Sequence, residues 1–139
     1  MLCRLCLADN HALFRDGLKK VLEESPEHCV IGEANDCTEL LNFLTQSSAD
    51  LILIDPFVSN FPGFAVIPEI RKLHPDVKIL VLTTYGDEAY ISRALAAGAD
   101  GYLLKEHAYK ELFPAIGSIQ QNERYISPML KMAGAPILG

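Results

Sequence analysis

The chain has 139 residues, of which half are hydrophobic, and a formal net charge of −6 at pH 7. This length is that of one domain with a substantial core, and it disfavours a two-domain chain. The acidic charge argues against a nucleic-acid-binding surface, and no run reaches the roughly 18 to 20 apolar residues of a membrane span. Since the N-terminus also lacks a signal-peptide pattern, we expect a soluble, cytoplasmic protein.

Five strand-like segments alternate with five helical segments along the chain. The strands are predicted at 3–8, from Cys29 onward, and at 51–54, 78–83 and 101–105; the helices are predicted at 11–24, after Asp36, at about 65–73, 87–97 and about 109–121. Asp36 with Glu39 resembles a helix-capping pair, and Gly98 lies where glycine closes helices. The alternation predicts a doubly wound α/β fold, in which a five-stranded parallel sheet has helices on both faces.

Prolines fall inside two of the predicted helices. Pro68 should move the start of the third helix to about Ala65 or later, and Pro114 with Gly117 should kink or delay the fifth. The last stretch, residues 127–139, is rich in glycine and proline and is typical of a linker or disordered tail. We therefore place the folded domain at residues 1–126.

The cysteines include the spacing Cys3-x-x-Cys6, which raises the question of metal or redox chemistry. Residues 3–8 have the pattern of a strand, however, and side chains three positions apart on a strand point to opposite faces. These two thiols would then neither share a metal nor form a disulfide. We interpret all four cysteines as ordinary buried or half-buried thiols: Cys3, Cys6, Cys29 and Cys37.

Polar groups follow four of the five predicted strands, and parallel strands end at one edge of the sheet, where ligands of open α/β folds bind. The groups are Asp9 and Asn10, then Asp55, then Thr83 and Thr84, and last Lys105. Each alone could be a helix cap, a strand residue or a solvated strand end. Together they fit phosphoryl transfer to a carboxylate, which needs a nucleophilic acid, a divalent cation such as Mg²⁺ and donors for the remaining charge.

Residues 2–128 as a whole resemble a receiver domain of two-component response regulators, in particular those of the nitrate-response and nodulation-regulator (LuxR-type) class. The segments that carry the resemblance are Leu7-Ala8-Asp9-Asn10-His11-Ala12-Leu13-Phe14-Arg15-Asp16-Gly17-Leu18, Leu53-Ile54-Asp55, Val81-Leu82-Thr83-Thr84, Ala97-Gly98-Ala99-Asp100-Gly101-Tyr102-Leu103-Leu104-Lys105 and Glu123-Arg124-Tyr125-Ile126-Ser127-Pro128. Their order and spacing are more specific than any segment alone. The resemblance implies a flavodoxin-like strand order of 2-1-3-4-5.

The resemblance also implies a metal and phosphoacceptor site. Asp55 would accept the phosphoryl group, and Asp9 would be the first of the acidic pair that places Mg²⁺. Asn10 stands at the second acidic position, and the Phe57 carbonyl would be the backbone metal ligand. The phosphoryl group would come from a sensor histidine kinase.

Four further residues would bind the phosphoryl group or respond to it. Thr83 would contact the phosphoryl group through its hydroxyl, the Thr84 amide would be a further donor, and Lys105 would pair with phosphoryl oxygens. Tyr102 would be the aromatic whose inward or outward rotamer follows Thr83. The expected protein is a signalling switch and not an enzyme, with a possible homodimer. It would reach DNA only through a C-terminal helix-turn-helix domain that this sequence lacks.

The sequence departs from the family pattern at several positions. Asn10 removes one negative charge from the metal site, so we expect Mg²⁺ binding to be weakened by roughly ten-fold or more. Val58-Ser59 stand where the family usually has Met-Pro, and Pro56 removes one backbone donor. The fifth helix belongs to the surface that receivers use for partners, so Pro114 raises the hypothesis of an altered output interface.

Three alternatives to a phosphorylated switch remain on the sequence alone. The first is a degenerate receiver that acts as a phosphorylation-independent interaction module, motivated by Asn10 and the altered loop. The second is an aspartyl phosphohydrolase, which is disfavoured because position 57 is Phe and not a second carboxylate. The third is a flavin-binding version of the fold, which is disfavoured because Asn10-His11-Ala12-Leu13 cannot form a phosphate loop.

Overall fold

The architecture is a parallel sheet between two layers of helices, seen in a computed structural model that describes residues 2–57, 61, 64–128 and 130. The strands are β1 (Cys3–Ala8), β2 (His28–Ala34), β3 (Leu51–Ile54), β4 (Lys78–Thr83), β5 (Gly101–Leu104) and β6 (Tyr125–Ile126). The helices are α1 (Ala12–Glu23), α2 (Cys37–Leu44), α3 (Val66–Leu73), α4 (Glu88–Ala97) and α5 (Ala108–Gln120), and a short 3₁₀ turn spans Lys105–His107.

All strand pairs are parallel, and their order is β2-β1-β3-β4-β5-β6. The doubly wound fold and the predicted order 2-1-3-4-5 are therefore confirmed. The sheet has a sixth strand beyond the five predicted, because Tyr125 and Ile126 pair with Gly101 and Tyr102 of β5. Two residues are too few to show an alternating pattern, so this strand leaves no periodic signal in the sequence.

The core consists of two apolar clusters, one on each face of the sheet. β3 is buried on both faces, which explains its four consecutive aliphatic residues. Cys6 belongs to one cluster and Cys3 to the other, so the two thiols point to opposite faces as predicted, and no cysteine is in a disulfide. Burial raises the pKa of Cys3 to about 11 and that of Cys6 to about 12.

Helix boundaries agree with most of the sequence signals. Asp36 caps α2 by accepting a hydrogen bond from the Glu39 amide (2.8 Å), whereas the Glu39 carboxylate accepts from the Asn35 amide, one residue before the cap. α3 begins at Val66, which agrees with the effect expected of Pro68. Gly98 ends α4 with a φ of 116°, a left-handed conformation that favours glycine.

Pro114 does not have its predicted effect on the start of α5. The helix begins at Ala108 and continues past Pro114 to Gln120, so the expected delay is wrong. A proline inside a helix costs about 3 kcal/mol. Burial of one large aliphatic side chain contributes about 1.5 to 3 kcal/mol, and this helix buries Leu112, Ile116 and Ile119. The core contacts therefore outweigh the proline, and the unbroken helix gives no support to an altered interface there.

The C-terminal part of the domain packs beyond the predicted boundary at residue 126. Ser127 is fully buried and Leu130 is 5% exposed. Residues 131–139, the rest of the predicted tail, lie outside the described residues, as do Val58 and Ser59 of the altered loop.

The two outer strands of the sheet are unlike each other. β6 has only two residues, whereas β2 has seven. The pairing of β1 with β2 shifts register between Leu5 and Cys6. The Phe43 ring lies so close over Gly32 of β2 that an added Cβ there would come within 2.6 Å of it.

Candidate functional site

Two carboxylates lie side by side at the carboxyl end of the sheet. Ala8 and Ile54, the last residues of β1 and β3, are register partners, and Asp9 and Asp55 follow them directly. The Asp55 amide donates to the Ala8 carbonyl, which continues the pairing past the strand end. Parallel pairing with this register is what brings together two acids that are 46 positions apart in the sequence.

Lys105 bridges the two carboxylates. Its Nζ lies 2.7 Å from Oδ2 of Asp9 and 2.8 Å from Oδ2 of Asp55, and the three side chains are 12%, 7% and 6% exposed. Burial alone would lower the pKa of Lys105, but the hydrogen bonds to Asp55 and Asp9 and their charges raise it overall. The ammonium therefore stays protonated, and the three groups together carry one net negative charge.

Each carboxylate uses its other oxygen to bind the backbone two residues further on. Oδ1 of Asp9 accepts from the His11 amide (2.9 Å), and Oδ1 of Asp55 accepts from the Phe57 amide (3.0 Å). Local turns of this kind hold short acidic side chains in one orientation. Both Oδ2 atoms are thereby directed to the same point in space, where Lys105 Nζ lies.

The donor set fits a single Mg²⁺ ion held mainly by water and two acids. Because Asp9 and Asp55 both reach one ammonium, they also lie within reach of one small cation, and Mg²⁺ uses only one or two protein carboxylates. The described residues contain no group of three or more His, Cys, Asp or Glu that could hold a metal. Asn10, directly after Asp9, is exposed, and the Phe57 carbonyl, two residues after Asp55, remains the proposed backbone ligand. The residues present therefore fit Mg²⁺, with few charged ligands.

Thr83 and Tyr102 are linked through the backbone of Tyr85. Thr83 is fully buried at the end of β4, and its Oγ1 accepts a hydrogen bond from the Tyr85 amide (3.3 Å). Tyr102 is also fully buried, and its hydroxyl donates to the Tyr85 carbonyl. Burial raises the pKa of Tyr102, and the nearby Asp55 charge adds to this effect. Thr84 is exposed.

Sequence reasoning missed Arg15, which braces the acidic site from α1. Its guanidinium donates to the Asp9 carbonyl, to Oε1 of Glu33 (3.0 Å) and to Oδ1 of Asn35 (3.0 Å). It thereby ties the end of β1 to the end of β2. Arg15 lies in one of the segments that carry the family resemblance, but nothing in its helical spacing indicates a partner 18 to 20 residues away.

Aromatic rings next to the site were also missed. Phe57 makes edge-on contacts with Phe64, Tyr85 and Tyr90, at centroid distances of 5.1, 4.9 and 5.2 Å. On the other side, Lys105 Nζ lies 5.0 Å from the centroid of the Phe14 ring. The rings come from separate loops and helices, so only the folded chain brings them together.

A parallel α/β sheet with two acids and a lysine at its carboxyl edge defines a class of protein, and comparison with known protein families identifies that class. The family model of the response regulator receiver domain matches residues 5–117 of the sequence. The chain belongs to the receiver domain family, as the sequence resemblance indicated.

Individual relatives agree with this assignment. The transcriptional regulatory protein DegU of Brevibacillus brevis is 34% identical over 125 residues, which are 90% of this chain and 53% of that protein. This chain therefore spans about half the length of that curated relative. Among the described residues, no helix is long and apolar enough to cross a membrane.

Solved structures show the same fold. A LuxR-family two-component response regulator from Aurantimonas sp. SI85-9A1 superimposes with a TM-score of 0.88 at 28% identity, covering 95% of this chain and 94% of the other. The RcsB response regulator of Salmonella enterica serovar Typhimurium, bound to the rprA promoter in the presence of the phosphomimetic BeF₃⁻, gives 0.78 at 28% identity, covering 87% and 61%. The LuxR-type likeness seen in the sequence is thus also found in three dimensions.

Proposed function

We propose that this receiver domain is a phosphorylation-dependent switch that accepts a phosphoryl group on Asp55 with Mg²⁺. The observation that carries the proposal is the convergence of Asp9, Asp55 and Lys105 within hydrogen-bond distance of one point. The Asp55 carboxylate supplies the nucleophile, and the Lys105 ammonium supplies positive charge for the oxygens of the transferred group.

In this proposal, Asp9 and Asp55 hold Mg²⁺, with the Asn10 side chain and the Phe57 carbonyl as neutral oxygen donors. The ion would neutralise charge on the incoming phosphoryl oxygens. Lys105 would then exchange its contact with Asp55 for one with the phosphoryl group. Thr83 would turn its hydroxyl from the Tyr85 amide to that group, the Thr84 amide would be a second donor, and Tyr102 would follow the loop.

The proposed donor is a sensor histidine kinase, and the proposed output is transcriptional control. RcsB was solved on promoter DNA with a phosphomimetic, and DegU is a transcriptional regulatory protein about twice as long as the matched region. Both support transcriptional control through a DNA-binding domain, which would lie outside residues 1–139. A homodimer is part of the same proposal, because RcsB was solved as dimers bound to DNA.

The test is labelling with acetyl phosphate in the presence and absence of Mg²⁺, followed by intact-protein mass spectrometry. We expect one added phosphoryl group that requires Mg²⁺ and is lost in Asp55→Asn. Asp16→Asn is a matched control, because it removes an exposed carboxylate from α1 and should label like the parent. Labelling that persists in Asp55→Asn would refute the assignment of the phosphoacceptor.

A second candidate is a phosphorylation-independent interaction module. Asn10 favours it, because the site has one acid fewer than the family pattern and Lys105 already neutralises one of the two that remain. The same labelling separates the two functions. An interaction module would take up no phosphoryl group at any Mg²⁺ concentration, although the domain is folded.

A further inference from the structure

A buried carboxylate on α5, away from the acidic site, holds the C-terminal part of the domain. Glu111 is 9% exposed, and both of its oxygens accept hydrogen bonds from residues that follow α5. Oε1 accepts from the Tyr125 hydroxyl (2.9 Å) and Oε2 from the Ser127 hydroxyl (2.7 Å). A carboxylate this buried is costly unless it is hydrogen-bonded, so these two contacts tie α5 firmly to residues 125–127.

Leu130, three residues after Ser127, also contacts a different part of the protein. Its amide donates to the Ser127 carbonyl (3.0 Å), and its side chain is buried beside Gly86. An added Cβ at Gly86 would lie 3.0 Å from Cδ2 of Leu130 and 3.2 Å from Cδ2 of Leu104. Leu130 therefore packs directly on the loop that follows β4, which is the loop that contains Tyr85.

Tyr102 contacts both this loop and the C-terminal residues. Its hydroxyl donates to the Tyr85 carbonyl, and its own carbonyl accepts from the Ser127 amide (3.2 Å). The Tyr85 amide in turn donates to Oγ1 of Thr83. A continuous series of contacts thus runs from Thr83, at the acidic site, to Ser127 and Leu130.

We propose that Glu111 positions the start of the C-terminal segment (Tyr125, Ile126, Ser127 and Leu130), and that Leu130 transmits movement of the loop after β4 to the chain beyond it. The inference rests on the proposed function, because the movement begins when Thr83 turns toward a phosphoryl group. The Tyr85 amide then loses its acceptor, Gly86 moves, and Leu130 loses its packing. Glu111 keeps Tyr125 and Ser127 fixed, so the movement is confined to Leu130 and its contact with Gly86.

Leu130 and Glu111 have different roles in this coupling, whereas two residues that only pack the domain would not differ in this way. Coupling between two sites is reciprocal. If binding of BeF₃⁻ weakens the contact of Leu130 with Gly86, that contact must weaken the binding of BeF₃⁻ to the same degree. Removing the Leu130 side chain should therefore tighten binding of BeF₃⁻ with Mg²⁺. Weakening the Glu111 anchor should leave that affinity unchanged, because the anchor is the same in both states.

The experiment is nuclear magnetic resonance on the isotope-labelled 139-residue chain, titrated with BeF₃⁻ and Mg²⁺. In the parent, we expect the nuclear Overhauser contact between the Leu130 methyl group and Gly86 to disappear on binding, while the Ser127 and Tyr125 amides stay protected. In Leu130→Ala, we expect affinity to rise by about three- to ten-fold. Leu73→Ala is the matched control, because Leu73 is 41% exposed at the end of α3, and its affinity should equal that of the parent.

Glu111→Gln completes the test. It should raise amide exchange at Tyr125 and Ser127 by about five- to ten-fold in both states without changing BeF₃⁻ affinity. If BeF₃⁻ shifts Thr83 and Tyr85 but the Leu130 contact persists and Leu130→Ala binds as the parent does, the inference is wrong while the proposed function stands. If BeF₃⁻ does not bind, the proposed function fails. In that case the coupling between Leu130 and Thr83 is tested in the ligand-free protein, where Leu130→Ala should shift the Thr83 resonances. Unchanged Thr83 resonances would refute the coupling.

Discussion

The substitution Asn10→Asp tests the electrostatics of the metal site directly. At present Asp9, Asp55 and Lys105 together carry one net negative charge, and Asn10 adds only a neutral oxygen at the exposed rim. An aspartate at position 10 would double that negative charge. It should therefore tighten Mg²⁺ binding and, without metal, destabilise the folded protein.

The size of the effect follows from the position of residue 10. Two unit charges about 4 Å apart interact by about 4 kcal/mol at an effective dielectric of 20 and by about 1 kcal/mol in water. Because Asn10 is exposed and the ion keeps several waters, we expect a net gain of about 1 to 2 kcal/mol. That gain corresponds to roughly ten-fold tighter binding.

The assay is a Mg²⁺ titration followed by tyrosine fluorescence. The chain has five tyrosines and no tryptophan, and Tyr85 and Tyr102 are joined to Thr83 at the site. Asn42→Asp is the charge-matched control, because it places the same charge on an exposed position of α2 and should bind Mg²⁺ as the parent does. Urea unfolding without metal should show Asn10→Asp to be less stable by about 1 kcal/mol, and saturating Mg²⁺ should reverse the loss.

Mg²⁺ binding by Asn10→Asp within about two-fold of that of the parent would refute the expected charge effect. That result would mean that position 10 does not face the ion. A gain shared equally by Asn42→Asp would also contradict it, because the effect would then come from net charge and not from the site.

The remaining predictions concern the scaffold. Gly98→Ala should lower the free energy of unfolding by about 1 to 2 kcal/mol, because Gly98 has a left-handed φ. Gly117→Ala in α5 should raise it by about 0.5 to 1 kcal/mol, because an added Cβ there meets nothing within 4 Å. Urea unfolding that showed both variants to be stabilised, or both destabilised, would contradict these expectations. A thiol reagent should modify only half-buried Cys29 in the native protein, and native labelling of the buried thiols Cys3, Cys6 or Cys37 would be inconsistent with their burial. Burial and the hydrogen bond to Glu111 raise the pKa of Tyr125 from 10.0 to about 12, so its contribution to stability is complete below pH 10 and is lost as the pH rises toward 12. Tyr125→Phe should remove the tyrosinate absorbance that titrates near pH 12, and an unchanged alkaline titration would show that another residue gives that signal.

The features that could be predicted from the sequence are those with a local signal. A buried strand of four aliphatic residues followed by an acid places Asp55 at the carboxyl edge, and parallel connections bring Asp9 and Lys105 to the same edge. Gly98 and Asp36 mark helix ends by conformational and hydrogen-bonding preferences that act over a few residues. These signals need no knowledge of tertiary contacts.

Features that depend on tertiary contacts could not be predicted. Arg15 is one charged residue among several on α1, and its partners lie at the ends of β1 and β2. β6 is held by Glu111 and by β5, so its two residues carry no pattern of their own. The helix around Pro114 is stabilised by the core contacts of its buried side, which helix propensity does not measure.

The unequal outer strands of the sheet bear on how the protein avoids aggregation through the edges of its sheet. A long, flat outer strand with free backbone groups is a template on which strands of other molecules add. Here one outer strand is only two residues long, and the other is irregular in register and overlaid by the Phe43 ring at Gly32. Among the described strands, neither outer strand is both long and regular. The two edges of the sheet can therefore be exposed without promoting edge-to-edge aggregation.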